Sequence, residues 1–448
     1  MKKNAVYMLC VAFFFAVIIF IIYKYVHEKK RDAVVPLTLK ERKGAAATNS
    51  EWDKTRKTAA YYTEAARKDP SNSKAFLALA SIFIQESRIT GDYLYYDPAA
   101  MSCVEHVLSG DPENFEALTI KALIHMSQHH FADGLSIAEK AQKINPYNAL
   151  IYGILVDGNV EMGNYKAAVE NSDKMDSIRP DIRSYSRISY LREIHGDFPG
   201  AIEAMKMAVD AGGAGDEPTE WTRIQLARLY ENIGDLKNAE MHYSIALYER
   251  PGYPYATAGL GSIALANKNY SKAISLYEQA AAALNDYSIQ EQLSRLYRLN
   301  GNIKKADSLL QIIIAGMNSD SKMGEQDESI GHYADRELAY AYLLKNDHEN
   351  ALKHALAEYN RRPENIDVNE TVAWVYYKMK GYDKALRYIT VALKTNCKNP
   401  QLLCNAGLIF AKTGQKSLAK STLQEALGNN PNIDPELKTE SENILKTL

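Results

Sequence analysis

The chain has 448 residues, of which 46% are hydrophobic and 24% are charged. Such an apolar fraction can bury a large core, which excludes a mainly disordered chain. The 53 basic side chains are balanced by 55 acidic ones. A general nucleic-acid binder is therefore not indicated, because it needs clustered positive charge to neutralise phosphates. Only four cysteines are present, and none forms a Cys-x-x-Cys pair, so neither a disulfide framework nor a zinc site is expected.

An unbroken apolar run extends from Ala5 to Tyr23, with lysines on both sides. About 20 residues of helix span a bilayer core, whereas the apolar region of a cleaved signal peptide is shorter and ends at a site of small residues. We therefore predict an uncleaved transmembrane anchor at residues 1–26 and a charged, Ala-rich linker at 27–50. The flanking positive charges are nearly balanced, so they do not indicate on which side of the membrane the rest of the chain lies.

The rest of the chain repeats with a period of 34 residues. A small residue recurs after each turn-like segment, at Ala100, Gly134, Ala168, Ala201, Ala239, Ala273, Ala306, Ala351, Ala385 and Ala419. Breakers such as Gly163-Asn164 precede these positions, and prolines such as Pro180 and Pro251 close several units. Glycine ends a helix and proline presets the start of the next one, so each unit is predicted to be a helical hairpin.

One unit shows the pattern in detail: it reads Leu226, Ala227, Tyr230, Ala239, Tyr243, Ala246 and Pro251. This arrangement of large, small and aromatic residues resembles the tetratricopeptide repeat (TPR). The resemblance implies an all-α superhelical solenoid of about ten hairpins over residues 51–431, behind one N-terminal transmembrane helix. Residues 432–448 are expected to form a capping helix. Two insertions, near residues 89–97 and 317–329, are expected to be surface loops and are candidates for interaction.

Catalysis is not indicated by any motif. The chain lacks a Gly-rich phosphate loop and a Gly-x-Ser-x-Gly elbow, and no block of 100 residues remains outside the repeats. His125 and His129 are spaced like zinc ligands on one helix face, but no glutamate follows His125 to act as a base. We therefore expect that the protein is not an enzyme and that it binds neither a cofactor nor a metal ion. A hydrolase using these histidines is an alternative that metal analysis would test.

The resemblance further implies that the first helix of each unit lines a concave groove. The side chains then expected in the groove are Arg183, Arg187, Tyr190, Arg228, Asn232, Gln292, Arg295, Arg298, Trp374, Tyr377 and Asn405. Arginines at matching heights would form a ladder for carboxylates, which favours an acidic or C-terminal peptide. Alternatively, the arginines pair with neighbours such as Glu193, Glu231 and Glu291, and the aromatic residues serve core packing.

These features together predict a membrane-anchored scaffold without nucleic-acid binding. It would bind a protein or peptide partner in its groove and help to assemble a membrane-associated complex. Its lysine-rich start resembles that of bacterial anchored repeat proteins, so the expected location is the bacterial inner membrane as a single-pass protein. The alternative is a glycan- or polymer-binding accessory subunit of an envelope export or polysaccharide machine. Polymer binding predicts stacked exposed aromatic residues in the groove, whereas peptide binding predicts arginine and asparagine ladders.

Overall fold

A computed structural model describes residues 13, 17–18, 38–326 and 331–448. These residues form 22 α-helices and one short 3₁₀ helix, with no strand among them. The apolar run predicted to anchor the chain lies almost entirely outside the described residues. Of the helices that are described, none is both long enough and apolar enough to cross a bilayer.

Twenty of the helices form ten consecutive antiparallel hairpins. The first helices of the hairpins are α2 (Ser73–Thr90), α4 (Phe115–Ser127), α6 (Ala149–Glu161), α8 (Ile182–Ile194), α10 (Glu217–Asn232), α12 (Pro254–Ala266), α14 (Tyr287–Leu299), α16 (Asp335–Leu344), α18 (Ile366–Lys378) and α20 (Pro400–Lys412). The second helices are α3 (Tyr93–Gly110), α5 (Phe131–Ile144), α7 (Tyr165–Ile178), α9 (Phe198–Asp210), α11 (Leu236–Glu249), α13 (Tyr270–Ala283), α15 (Ile303–Gln326), α17 (His348–Arg361), α19 (Tyr382–Ala392) and α21 (Lys416–Asn429). Helix α1 (Ser50–Lys68) precedes the hairpins, and α22 (Pro435–Leu445) follows them.

The small residues that mark the repeat explain why the hairpins are tight. All ten lie in second helices, and each is buried at the contact with its neighbours. Small side chains allow the helix backbones to approach closely, while large residues such as Tyr243 fill the space between them. The predicted helical-repeat fold is therefore confirmed for the described residues.

The solenoid curves with its first helices on the inside. First helices of successive units contact one another, as α4 does with α6 and α10 does with α12. The second helices pack mainly on the two first helices next to them and form the outer side. The concave surface is therefore built from the first helices, as the resemblance implies.

Contacts between residues about 200 positions apart close the superhelix on itself. The Asn365 side-chain amide donates to the carbonyl of Glu161 at 3.0 Å, and that of Asn430 donates to the carbonyl of Glu231 at 2.7 Å. Near the N-terminal end, Arg250 contacts Glu51 at 2.7 Å. The contact between Asn365 and Glu161 joins the ninth hairpin to the third, so one superhelical turn takes about six units and successive turns touch.

The first predicted insertion is helical rather than a loop. Helix α2 ends at Thr90 and α3 begins at Tyr93, with only a tight turn at Gly91 between them. The added residues therefore lengthen the two helices of the first hairpin. Similarly, α15 continues to Gln326, so much of the second predicted insertion extends a helix; residues 327–330 lie outside the described part.

Residues Thr38 to Arg42, which the sequence assigned to the linker, pack against the first hairpin. The Tyr95 hydroxyl donates to the carbonyl of Thr38 at 2.7 Å. The Arg42 side chain is fully buried and bonds to Glu86 and Glu51. These residues are therefore part of the folded body.

Candidate functional site

Three of the arginines expected in the groove are paired within the chain. The Arg187 guanidinium bonds to the Asp157 carboxylate at 2.5 Å and to the carbonyl of Gly153 at 3.0 Å. Arg295 bonds to Glu291 at 3.0 Å and lies 3.8 Å from Asp434.

Arg298 is paired with Asp307. Among the described residues, only Arg183 and Arg228 of the predicted ladder have no carboxylate within ion-pair distance, and both are exposed. Gln292 is exposed as well. The structure therefore does not bring the predicted arginines together as an unpaired row.

The aromatic residues of the predicted groove are partly covered by the C-terminal helix. Tyr377 is only 4% exposed, and its hydroxyl donates to Glu440 of α22 at 2.7 Å. Trp374 stacks on Tyr377 with ring centroids 5.0 Å apart. Tyr190, in contrast, is 39% exposed on α8. The groove thus presents an isolated tyrosine rather than a stacked aromatic surface.

Five carboxylates lie on the concave side, on first helices of four units. We call the acidic groove the set Glu161, Glu193, Glu231, Asp367 and Glu370. The first three lie at the ends of the first helices of three successive units. Asp367 lies in the first turn of α18 and Glu370 in the next turn. The contact between superhelical turns places α18 beside the end of α6. Residues of both turns thereby share one concave surface.

Most of these carboxylates have neutral partners only. Glu193 accepts a hydrogen bond from the Asn232 amide at 3.0 Å, and Glu370 accepts one from the Asn405 amide at 2.9 Å. Glu231 accepts from the hydroxyls of Tyr243 and Ser262.

Glu161 is the exception, because Arg362 forms an ion pair with it. The Asp367 carboxylate receives no hydrogen bond within the described part of the chain. Of the five carboxylates, Glu161 is therefore the one with a cation within ion-pair distance among the described residues.

The pKa values of these groups reflect this lack of close cations. Burial is the main cause that raises the pKa of Glu193 to about 7; the charge of Asp367 also raises this pKa, while the Asn232 hydrogen bond and the charge of Arg228 lower it. Burial, followed by the same Asp367 charge, raises the pKa of Glu370 to about 7. Both carboxylates lose water on folding without gaining a close cation, so their ionised forms are less stable than they would be in water.

Sequence reasoning missed the carboxylates as a set. A signal was present: Glu161, Glu193 and Glu231 each stand two or three residues before the glycine that ends the first helix. Identical side chains at the same or neighbouring positions of successive repeats lie close to one line of a solenoid. That they lie near Asp367 of the next superhelical turn could not be inferred from the sequence. This proximity depends on how many units complete a superhelical turn.

The histidine cluster lies at a contact between superhelical turns. The His129 ring lies 2.8 Å from the carbonyl of Tyr333, and its centroid is 4.2 Å from that of His332. Burial lowers the pKa of both His125 and His129 to about 4. In the described ranges, no three His, Cys, Asp or Glu side chains are arranged to hold a metal ion.

Two family models described as tetratricopeptide repeat match the chain, over residues 224–288 and 400–433. The first match covers hairpins from α10 to the start of α14, and the second covers α20 and α21. The chain therefore carries tetratricopeptide repeats within an all-helical solenoid. No curated protein gives a significant match.

Several solved structures are similar in part. The Cut9–Hcn1 hetero-tetramer of the APC/C is 16% identical, with a TM-score of 0.40, and the match covers 89% of this chain and 73% of that one. A tetratricopeptide repeat protein from Parabacteroides merdae is 19% identical, with a TM-score of 0.42, over 55% of this chain and 93% of that one. A human IFIT1 dimer with PPP-AAAA is 13% identical, with a TM-score of 0.46, over 84% of this chain and 87% of that one. At these identities and TM-scores, none of these structures indicates a function for this chain.

Proposed function

We propose that this chain is a membrane-anchored TPR scaffold without catalytic activity. Its solenoid binds an extended segment of a partner protein on the concave surface and helps to assemble a membrane-associated complex. The anchor is the apolar run from Ala5 to Tyr23, in a single-pass protein of the bacterial inner membrane. The described residues outside the hairpins are short connections and end helices, which leaves little chain for a catalytic domain.

The main support for a binding groove is the chemistry of the concave surface. Tyr190 has a ring that is 39% exposed there. Desolvation of its hydroxyl, followed by the charges of Asp367, Glu161 and Glu193, raises its pKa, so the ring lies close to these carboxylates. An exposed aromatic ring among charged groups is typical of a recognition surface.

The glycan-binding alternative has less support. It predicts stacked aromatic residues open to the groove, as platforms for sugar rings. The stacked pair Trp374 and Tyr377 is instead fastened to α22 through Glu440. We therefore favour a protein partner.

Site-specific photocrosslinking tests the groove. A benzophenone amino acid replaces Tyr190 in one full-length variant and Tyr248, which is 81% exposed on the convex helix α11, in a matched variant. Groove binding predicts crosslinks to one partner protein from position 190 and not from position 248, with the crosslinked peptide identified by mass spectrometry. Crosslinks from position 248 alone would place the partner on the outer surface and contradict the proposal.

The anchor is tested separately. The full-length chain should stay with the membrane fraction after extraction with alkaline carbonate and should be released by detergent. Release by carbonate alone would show that the chain is held only peripherally. The proposed anchoring would then be wrong, whatever the groove binds.

A further inference from the structure

We propose that the acidic groove binds lysine and arginine side chains of an extended partner segment. This inference rests on the proposed function, because it assumes that the concave surface is the binding surface. It replaces the acidic peptide expected from the arginine ladder with a cationic one.

The charge balance of the groove is the first argument. Arg362 already forms ion pairs with both Glu161 and Glu358, so it does not compensate the other carboxylates. Arg336 donates weakly to the Thr371 hydroxyl at 3.4 Å and acts on Asp367 and Glu370 only at longer range. Arg228, exposed on α10, lowers the pKa of Glu193 and Glu231 through its charge but forms no ion pair with either among the described residues. Carboxylates on α8, α10 and α18 are thus left without a close cation. A cationic ligand would supply the missing positive charge.

A buried acceptor beside the carboxylates is the second, independent argument. Asn405 is 1% exposed, and its amide nitrogen donates to Glu370 at 2.9 Å. Its amide oxygen has no hydrogen-bond partner within the described residues. A buried acceptor without a donor costs free energy, so this end of the groove lacks donors. Lysine and arginine side chains are donors only, which makes them the matching chemistry.

The spread of the carboxylates indicates an extended segment rather than a single ion. Glu161, Glu193 and Glu231 belong to three successive units, so they follow the groove along its length. Tyr190 lies between the first two positions in sequence, with an exposed ring on which an ammonium or guanidinium group can rest. Several cations spaced along a peptide would therefore contact several sites at once.

The test uses the full-length chain in detergent and three fluorescein-labelled peptides of equal length. They alternate glycine with lysine, glutamine or glutamate, and binding is followed by fluorescence anisotropy. We expect binding of the lysine peptide only. The triple variant Glu193→Gln, Glu231→Gln, Glu370→Gln should weaken it about tenfold, since each partly exposed ion pair contributes modestly.

A matched control removes three exposed carboxylates from the convex helices α9, α11 and α19, through Glu203→Gln, Glu240→Gln and Asp383→Asn. It loses the same formal charge and should bind within about twofold of the unchanged chain, because salt screens distant exposed charges. Equal weakening by the control triple would show general attraction and overturn the proposal. Equal binding of the glutamine peptide would also overturn it.

Asp367→Asn provides a second test in case the triple variant misfolds. This substitution should leave the fold intact, because the Asp367 carboxylate makes no hydrogen bond within the described residues. It should weaken binding about threefold with an unchanged circular dichroism spectrum. Unchanged affinity in this folded variant and in the triple variant would contradict the proposal. If the lysine peptide fails to bind while crosslinks from position 190 persist, the charge assignment is wrong and the proposed function stands; loss of both removes the groove as the binding surface.

Discussion

The hydroxyl of Tyr93 donates a hydrogen bond to the carboxylate of Asp320 at 2.6 Å. The two residues are 227 positions apart and lie in the two regions where the chain departs from its 34-residue period. Tyr287 also donates to Asp320, at 3.1 Å. The insertions therefore meet each other across successive turns, and they serve the contact between turns rather than forming two separate loops.

Removing this acceptor should loosen that contact. Asp320 is 3% exposed, so Asp320→Ala leaves two tyrosine hydroxyls without their acceptor and should lower the free energy of unfolding by about 2 kcal/mol. Urea denaturation followed by circular dichroism measures the change. Asp383→Ala, at an exposed position on α19, is the control and should have little effect. Equal midpoints for the two variants would show that the insertions contribute nothing to stability.

Comparing two glycines of the hairpin loops distinguishes backbone strain from contact between superhelical turns. Gly163 and Gly301 have φ values of +79° and +80°, so alanine is strained at either position by about 1–2 kcal/mol. A Cβ at Gly163 would lie 2.4 Å from the Glu364 carbonyl oxygen, whereas none of the described atoms lies within 4 Å at Gly301.

We therefore expect Gly163→Ala to lower the thermal midpoint clearly more than Gly301→Ala, with about 1–3 kcal/mol of additional overpacking. Differential scanning calorimetry of the two variants in the same detergent gives the comparison. Equal losses would mean that the two turns do not press against each other at this point.

Arg362 neutralises carboxylates of both turns. It is buried and bonds to Glu358 of its own hairpin and to Glu161 of the preceding superhelical turn. Arg362→Met keeps the apolar stem and leaves the buried Glu358 with only Arg361, so we expect a loss of about 3–5 kcal/mol in urea denaturation. Adding Glu358→Gln should restore part of that loss. A double variant no more stable than the single one would contradict this account of the pair.

The raised pKa of Glu370 predicts a pH-dependent effect. The folded chain holds this proton more tightly than the unfolded chain, so the contribution of Glu370 to stability falls as pH rises from its ordinary pKa toward about 7. The charged groups around it are Asp367, which raises its pKa, and Arg336, which lowers it.

Glu370→Gln should therefore stabilise the chain at pH 8, by about 2 kcal/mol, and change it little at pH 5. Thermal midpoints at the two pH values measure this difference. Glu203→Gln, on the exposed side of α9, should show no such dependence. A stabilisation of equal size at both pH values would point to a packing effect instead of the uncompensated charge.

The repeat itself could be predicted from the sequence, because it depends on short-range patterns. The small residue of each unit locates all ten hairpins, and a glycine ends the first helix in several of them. The unpaired side chains of the groove were predicted less well. The face of the groove was correctly placed on the first helices, but Arg187 and Arg295 find partners on their own or a neighbouring helix. Which carboxylates remain unpaired depends on the contact between turns, and small rotations accumulated over six units determine that contact.

The hydrogen bond from Asn365 to the carbonyl of Glu161 has a further consequence for the number of repeats. In an open solenoid each repeat contacts only its neighbours, so a unit can be gained or lost with local effects. Here the deletion of one hairpin between the two residues would bring Asn365 opposite a different helix end and displace every later contact of the same kind. These contacts therefore fix the number of hairpins between Glu161 and Asn365, and we expect a change in repeat number to be tolerated better outside that stretch.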